Sequence, residues 1–324
     1  YSGNSGSSLG PHLHFEIRET KSEKPVNPLL FNFNVPDHKS PLIRNIKFYP
    51  AENSLINGVC KPLLRKMVKK DGVFVLEQVS EITFLGPFGI GVDVVDYFDN
   101  SNNKCGVYSI EMYLDGQLKF SQLMDKLDFS TNRDINIHKD YVDYHKKRRN
   151  IHKSFIHKNN SLQIYDTTLG NGIIDISDTN EHEIKYIIKD FSGNESMAKV
   201  KIIRSEINQK CLSKTSLEWL KEDDETVFEK EGFKITFPAN GLYDSVDFNY
   251  KWNNDKTLNL MNENIPLRKK FILSMKLVNQ PDSLFDKTFI AEINSKNRVI
   301  NRKGEYNDGW VSSELKSFGN YELM

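Results

Sequence analysis

The sequence predicts a mainly β protein built from more than one module. Three observations carry that prediction. Short alternations of apolar and polar residues recur, at Ile43–Tyr49, Val92-Asp93-Val94, Tyr108–Leu114 and Phe233–Phe237, and a period of two is the pattern of a strand with one buried face. Turn signals punctuate these runs. Leu114-Asp115-Gly116-Gln117 supplies an Asp-Gly pair suited to a two-residue hairpin. Finally, 324 residues are enough for two or three domains rather than one core.

Composition excludes several classes of function. Lys plus Arg and Asp plus Glu number 44 each, a formal net charge of zero, which argues against a dedicated nucleic-acid surface or a basic membrane-facing side. No apolar run approaches the roughly 18 residues that span a bilayer, so no transmembrane segment is expected. The three cysteines, Cys60, Cys105 and Cys211, are widely spaced and lack any C-x-x-C pairing. Neither a disulfide framework nor a zinc knuckle follows. One disulfide in an exported protein is open; free buried thiols are the favoured expectation.

The element richest in chemistry comes first in the chain. Residues 3–18 read GNSGSSLGPHLHFEIR, a Gly/Ser loop running through Pro11 into His12-Leu13-His14. Read as a strand, this places His12, His14 and Glu16 on one face and Leu13, Phe15 and Ile17 on the other. The apolar set is expected to face a core. Two imidazoles one strand step apart suit a metal ion, or one ligand beside one general base.

This run resembles the C-terminal signature of the M23 family of zinc metallopeptidases, the lysostaphin-like or LytM-type peptidoglycan endopeptidases. Its Gly, Ser, Pro and His identities are far more specific than a bare H-x-H. The resemblance implies Zn(2+) as cofactor, with His14 as zinc ligand and His12 as a catalytic residue acting on the zinc-bound water or the developing oxyanion. It implies peptidoglycan peptide bridges as substrate and an extracytoplasmic location. Glu16 is open between a hydrogen-bond partner that orients an imidazole and an ordinary exposed strand residue. The family's other zinc ligands come from an upstream H-x-x-x-D. None of His38, His138, His145, His152, His157 and His182 begins such a motif. The chain is therefore expected to be a C-terminal piece of a larger peptidase, inactive alone.

Lys24-Pro25-Val26-Asn27-Pro28 and Val35-Pro36-Asp37 end that element, because each proline fixes its own φ and restricts the residue before it. The expected peptidase remnant is 1–37. Residues 40–205 then read as an immunoglobulin-like β-sandwich, closed by a hairpin around Asp190-Phe191-Ser192-Gly193-Asn194. That turn is favoured as a tight Gly/Asn turn over a calcium site. Asp93, Asp96 and Asp99 are expected at a solvated strand end and loop over Tyr97 to Lys104, which is favoured over a calcium site. A helix is expected at Lys139–Arg149, acidic at its start and basic at its end. Its Lys146-Lys147-Arg148-Arg149 run reads as a solvated helix end rather than an anion-binding patch, and His145, His152 and His157 as incidental.

Residues 206–224 are expected as a linker or short helix anchored by Leu217, Trp219 and Leu220. A second sandwich-like domain, 225–324, follows with strands at Phe233–Phe237, Val246–Tyr250, Phe271–Val278, Phe289–Ile293, Gly309–Ser312 and Phe318–Leu323, and reads as truncated. The fold class is thus mainly β: C-terminal strands of an M23 β-sheet peptidase domain, an immunoglobulin-like β-sandwich and a second β-rich domain. This order resembles secreted M23 proteins of the Bacteroidetes type. The alternative function is a non-catalytic cell-envelope binding or scaffolding protein with a degenerate peptidase remnant.

Overall fold

A computed structural model describes residues 12–33, 35–78, 81–206, 219–230, 232–253, 257–260, 264–277, 281–294 and 297–324. The protein is mainly β, as its alternating pattern requires. The chain forms two compact units, residues 1–140 with 149–212 and residues 141–148 with 213–324.

The first unit is organised by a twelve-stranded sheet. Leu42–Pro50 pairs antiparallel with Phe88–Val95 on one side and with Leu63–Lys70 on the other. Leu63–Lys70 turns into Val73–Leu76, which lies parallel to Glu195–Arg204. From there the ladder runs through Glu181–Lys189, Ser109–Leu114 and Gln117–Leu123 to Tyr165–Thr168. Ile46, Phe48, Ile90 and Val92 from one end of this order pack in one core with Ile110, Met112, Ile184 and Tyr186 from the other. Strands spaced under 5 Å apart cannot bring those residues together on a flat sheet. The sheet is curled, and its two halves face each other in a sandwich-like arrangement.

Local turn chemistry behaves as the residue types dictate. Asp115 and Gly116 have φ of 49° and 82°, the paired positive values of a type I′ hairpin turn, and join Ser109–Leu114 to Gln117–Leu123. In the Asp190–Asn194 turn the Asn194 backbone N–H donates to Asp190 Oδ1 at 2.9 Å, while Gly193 supplies φ 89°.

Phe88–Val95 is buried on both faces. Phe88, Ile90, Val92 and Val94 point into the core. On the other face Gly89 and Gly91 admit a covering segment: a Cβ at Gly89 would meet the Phe155 ring at 2.3 Å, and one at Gly91 would meet Ile151 Cγ2 at 2.9 Å. Asp93, third on that face, receives Arg44 at 2.5 Å, Asn45 Nδ2 at 2.7 Å and the Asn150 N–H at 3.0 Å. The expected solvated strand end is corrected here, because Asp93 and Asp96 are 1% and 3% exposed. An aspartate is tolerated at such depth when donors satisfy its oxygens.

Cys60 is disulfide-bonded, which overturns the favoured reading of free thiols for that residue. Cys105 is the free cysteine among the described residues, and Cys211 lies outside them.

The second unit packs two five-stranded sheets around its own core. One contains Thr226–Lys230, Phe233–Phe237, Phe271–Lys276, Trp310–Leu315 and Glu305–Asn307; the other contains Tyr250–Asn253, Thr257–Leu260, Asn320–Leu323, Ile290–Ile293 and Val299–Asn301. Phe233, Ile235, Leu273 and Val311 from the first meet Leu258, Leu260, Ile290 and Tyr321 from the second. The single strand expected at Val246–Tyr250 is two. Val246–Asp247 pairs with Trp219–Leu220, whereas Tyr250–Asn253 pairs with Thr257–Leu260, so the run divides between different partners. The expected linker likewise contributes structure, since Leu220 is 3% exposed within this core. The helix expected at Lys139–Arg149 forms over Tyr141–Lys147, and Arg148 departs from helical geometry at φ 54°.

Candidate functional site

His12, His14 and Glu16 lie at the start of the described chain; Gly3 to Pro11 of the same motif fall outside the described residues. The strand expected through His12–Arg18 forms only at Ile17–Arg18, paired with Pro25–Val26. Leu13 and Phe15, expected to face a core, are 88% and 59% exposed. Alternation specifies which face an extended segment would bury, but a strand also needs a neighbour to satisfy its backbone. Among the described residues none pairs with 12–16. Phe15 instead rests edge-on against Phe33, with ring centroids 5.5 Å apart.

The polar face of the motif is solvent-facing. The His14 side chain is 73% exposed, with Nε2 3.7 Å from Glu16 Oε1. Glu16 is held chiefly by Arg18, whose Nε donates to Oε1 at 2.9 Å. That hydrogen bond keeps the Glu16 carboxyl below its ordinary range. Arg18 also stands over the Phe129 ring at 5.0 Å. Glu16 is therefore an anchored carboxylate beside an exposed imidazole.

The base of the motif is fastened to the first unit. The Asn27 N–H donates to the Asp125 carbonyl at 2.7 Å, and Leu127 N–H donates to the Pro25 carbonyl at 2.9 Å. Lys24 Nζ reaches Asp128 at 2.8 Å and Gln163 at 2.9 Å. The proline-containing segment after the motif is thus docked on Asp125, Leu127, Asp128 and Gln163.

A catalytic zinc takes three protein ligands and keeps an open water position. Among the described residues neither His12 nor His14 joins two other His, Cys, Asp or Glu side chains in one ligand group. The described residues therefore do not by themselves fit a zinc centre.

Two polar clusters deeper in the first unit join residues that the sequence did not bring together. The first joins His138 and His152, exposed by 0% and 3%. Asn160 Nδ2 donates to Tyr165 Oη at 2.7 Å, Tyr165 Oη lies 3.1 Å from His138 Nδ1, and His138 Nε2 lies 3.1 Å from His152 Nδ1. Asn150 Nδ2 lies 3.1 Å from His152 Nε2. The proton order follows from the Asn150 end: neutral His152, whose Nε2 accepts from Asn150 Nδ2, carries its proton on Nδ1 and donates to His138 Nε2, and His138 Nδ1 donates to Tyr165 Oη. Asn150 Oδ1 is buried with no hydrogen-bond partner. Burial is the main cause that pushes His138 down to about 3 and His152 well below its ordinary value. His152, read from sequence as incidental, is a core residue. Its signal was the antiparallel return of Lys139 against His152, invisible behind a run of lysines and arginines.

The second cluster brings together Asp37, Asp96 and Asp190, one carboxylate oxygen of each lying within 4.8 Å of the others. Asp96 and Asp190 each close an apolar strand, V-D-V-V-D and I-I-K-D, and each was weighed from sequence within its own local series, but their meeting with Asp37 was not legible there.

Residues 217–324 match the Zu5-like domain family. That is one third of the chain and coincides with the strands of the second unit. No curated protein matches the chain. Among the described residues no helix is long and apolar enough to cross a membrane.

Proposed function

We propose that this chain carries the closing strand segment of an M23-type zinc metalloendopeptidase acting on peptide cross-bridges of cell-wall peptidoglycan, followed by β-rich accessory modules. The observation that carries the reading is the run GNSGSSLGPHLHFEIR at residues 3–18. In it His14 is the zinc ligand, His12 the catalytic imidazole, and Glu16 a carboxylate beside His14. His14 would hold zinc only together with ligands from other chain segments, and the metal would supply Lewis acidity beside His12. The remaining ligands come from chain outside these residues, so residues 1–324 alone do not hydrolyse.

Two further observations support the reading. The His14 side chain is 73% exposed, open to a group from another segment. The disulfide at Cys60 suits an oxidising, extracytoplasmic compartment. A second reading, a non-catalytic envelope-binding protein, is favoured by the two cores, which contain neither His12 nor His14.

One experiment separates the two readings. Purified sacculi are incubated with residues 1–324 extended by their upstream-encoded sequence, and with the His14→Ala version of the same protein. The peptidase reading expects soluble peptides from the first and a loss of at least about 100-fold in the second. Equal binding to sacculi by both proteins, with no peptide released by either, would favour the binding protein.

A further inference from the structure

Asp37, Asp96 and Asp190 come from three distant segments that the topology gathers at one end of the first unit. Asp37 precedes Leu42–Pro50, Asp96 directly follows Phe88–Val95, and Asp190 directly follows Glu181–Lys189. The three side chains are 8%, 3% and 3% exposed. The segments are already tied together: Asn194 Nδ2 donates to the Asp37 carbonyl at 3.0 Å and Ser196 Oγ to the Pro41 carbonyl at 2.6 Å.

Carboxylates at such depth need donors. Asp190 has them, receiving the Asn194 N–H at Oδ1 and Asn194 Nδ2 at Oδ2. Asp37 Oδ1 receives the Lys39 N–H at 3.2 Å. Asp37 Oδ2 and Asp96 Oδ1, however, are buried with no hydrogen-bond partner at all. Such oxygens carry a desolvation cost that a counter-charge would remove. The exposed Lys39 acts on Asp96 from a distance, its Nζ being bonded to the Phe98 carbonyl at 2.9 Å. A cleft of about 290 Å³ lined by all three aspartates gives access from solvent.

We propose that Asp37, Asp96 and Asp190 bind a hard divalent cation of the calcium type, which fastens three segments at this end of the unit. Two oxygens each about 2.4 Å from one Ca²⁺ are at most about 4.8 Å apart, and the observed oxygens meet that bound. The donors are all oxygen, which selects calcium-like ions over zinc. Burial, then the Asp190 and Asp37 charges, raise the Asp96 carboxyl to about 6. This site is separate from His12 and His14, and its test does not depend on peptidase activity.

The test uses the full 324-residue chain, stripped with EDTA and titrated with CaCl₂ alone at neutral pH. Calorimetric titration is expected to give one Ca²⁺ per chain with a Kd of about 0.1–1 mM, the range of extracellular modules. At about 10 mM Ca²⁺ the unfolding midpoint is expected to rise by about 5 °C. Asp96→Asn keeps the shape while removing a charge; it should weaken Ca²⁺ binding at least about tenfold without lowering the midpoint in EDTA. Asp37→Asn, which still accepts from the Lys39 N–H, should weaken binding equally. Absence of a Ca²⁺-dependent midpoint shift in the wild type overturns the proposal. Binding unchanged in both variants does so too.

Discussion

His138 and His152 are buried side by side as neutral rings, and that fixes a pH dependence. The unfolded chain protonates both near the ordinary value of 6.5, whereas the folded chain holds His138 near 3 and His152 well below normal. Between those limits the unfolded state binds more protons. Stability is accordingly full above pH 6.5 and falls as pH drops toward 3, by about 1.4 kcal/mol per pH unit for each ring that stays neutral. Urea unfolding at pH 7 and pH 5 should show this loss. In His138→Asn the slope should shrink by one proton, while stability at pH 7 falls by about 1–3 kcal/mol because Tyr165 and His152 lose a partner. An unchanged slope would contradict burial of His138 as a neutral ring.

At the scale of the element, Phe88–Val95 makes a sharper claim. Gly89 lies beneath Phe155 and Gly91 beneath Ile151, so the strand accepts a second covering layer only where a side chain is missing. Gly89→Ala should cost about 1–3 kcal/mol through overpacking, read as a lowered urea midpoint. Gly116→Ala provides the contrast, because nothing lies within 4 Å of its Cβ position and its cost comes from φ 82° alone. The hairpin at Asp115-Gly116 and the turn at Asp190–Asn194 were legible in the sequence because their chemistry is local. The missing strand at 12–16, the division of 246–250 between two partners and the parallel pairing of Val73–Leu76 with Glu195–Arg204 were not. Each depends on which distant segment supplies the neighbour, and alternation alone does not name that segment. The aspartate triad was hidden for the same reason, being spread over residues 37, 96 and 190.

For the whole molecule, two β-rich units each enclose a core of their own. The second matches the Zu5-like domain over 217–324, while the residues that name a chemistry stand at the other end of the chain. His12 and His14 were legible as candidates because glycines, serines and a proline surround them in a specific order. Their partners were not legible, because no His-x-x-x-Asp occurs in these residues. The account therefore rests on His14 being one ligand of a zinc completed from elsewhere. Elemental analysis of zinc per chain tests this most directly, on residues 1–324, on the same chain extended by its upstream-encoded sequence, and on the extended His14→Ala variant. The account predicts no stoichiometric zinc on the first, one per chain on the second, and its loss in the third. One tightly held zinc on residues 1–324 alone, or undiminished zinc after His14→Ala, would contradict it.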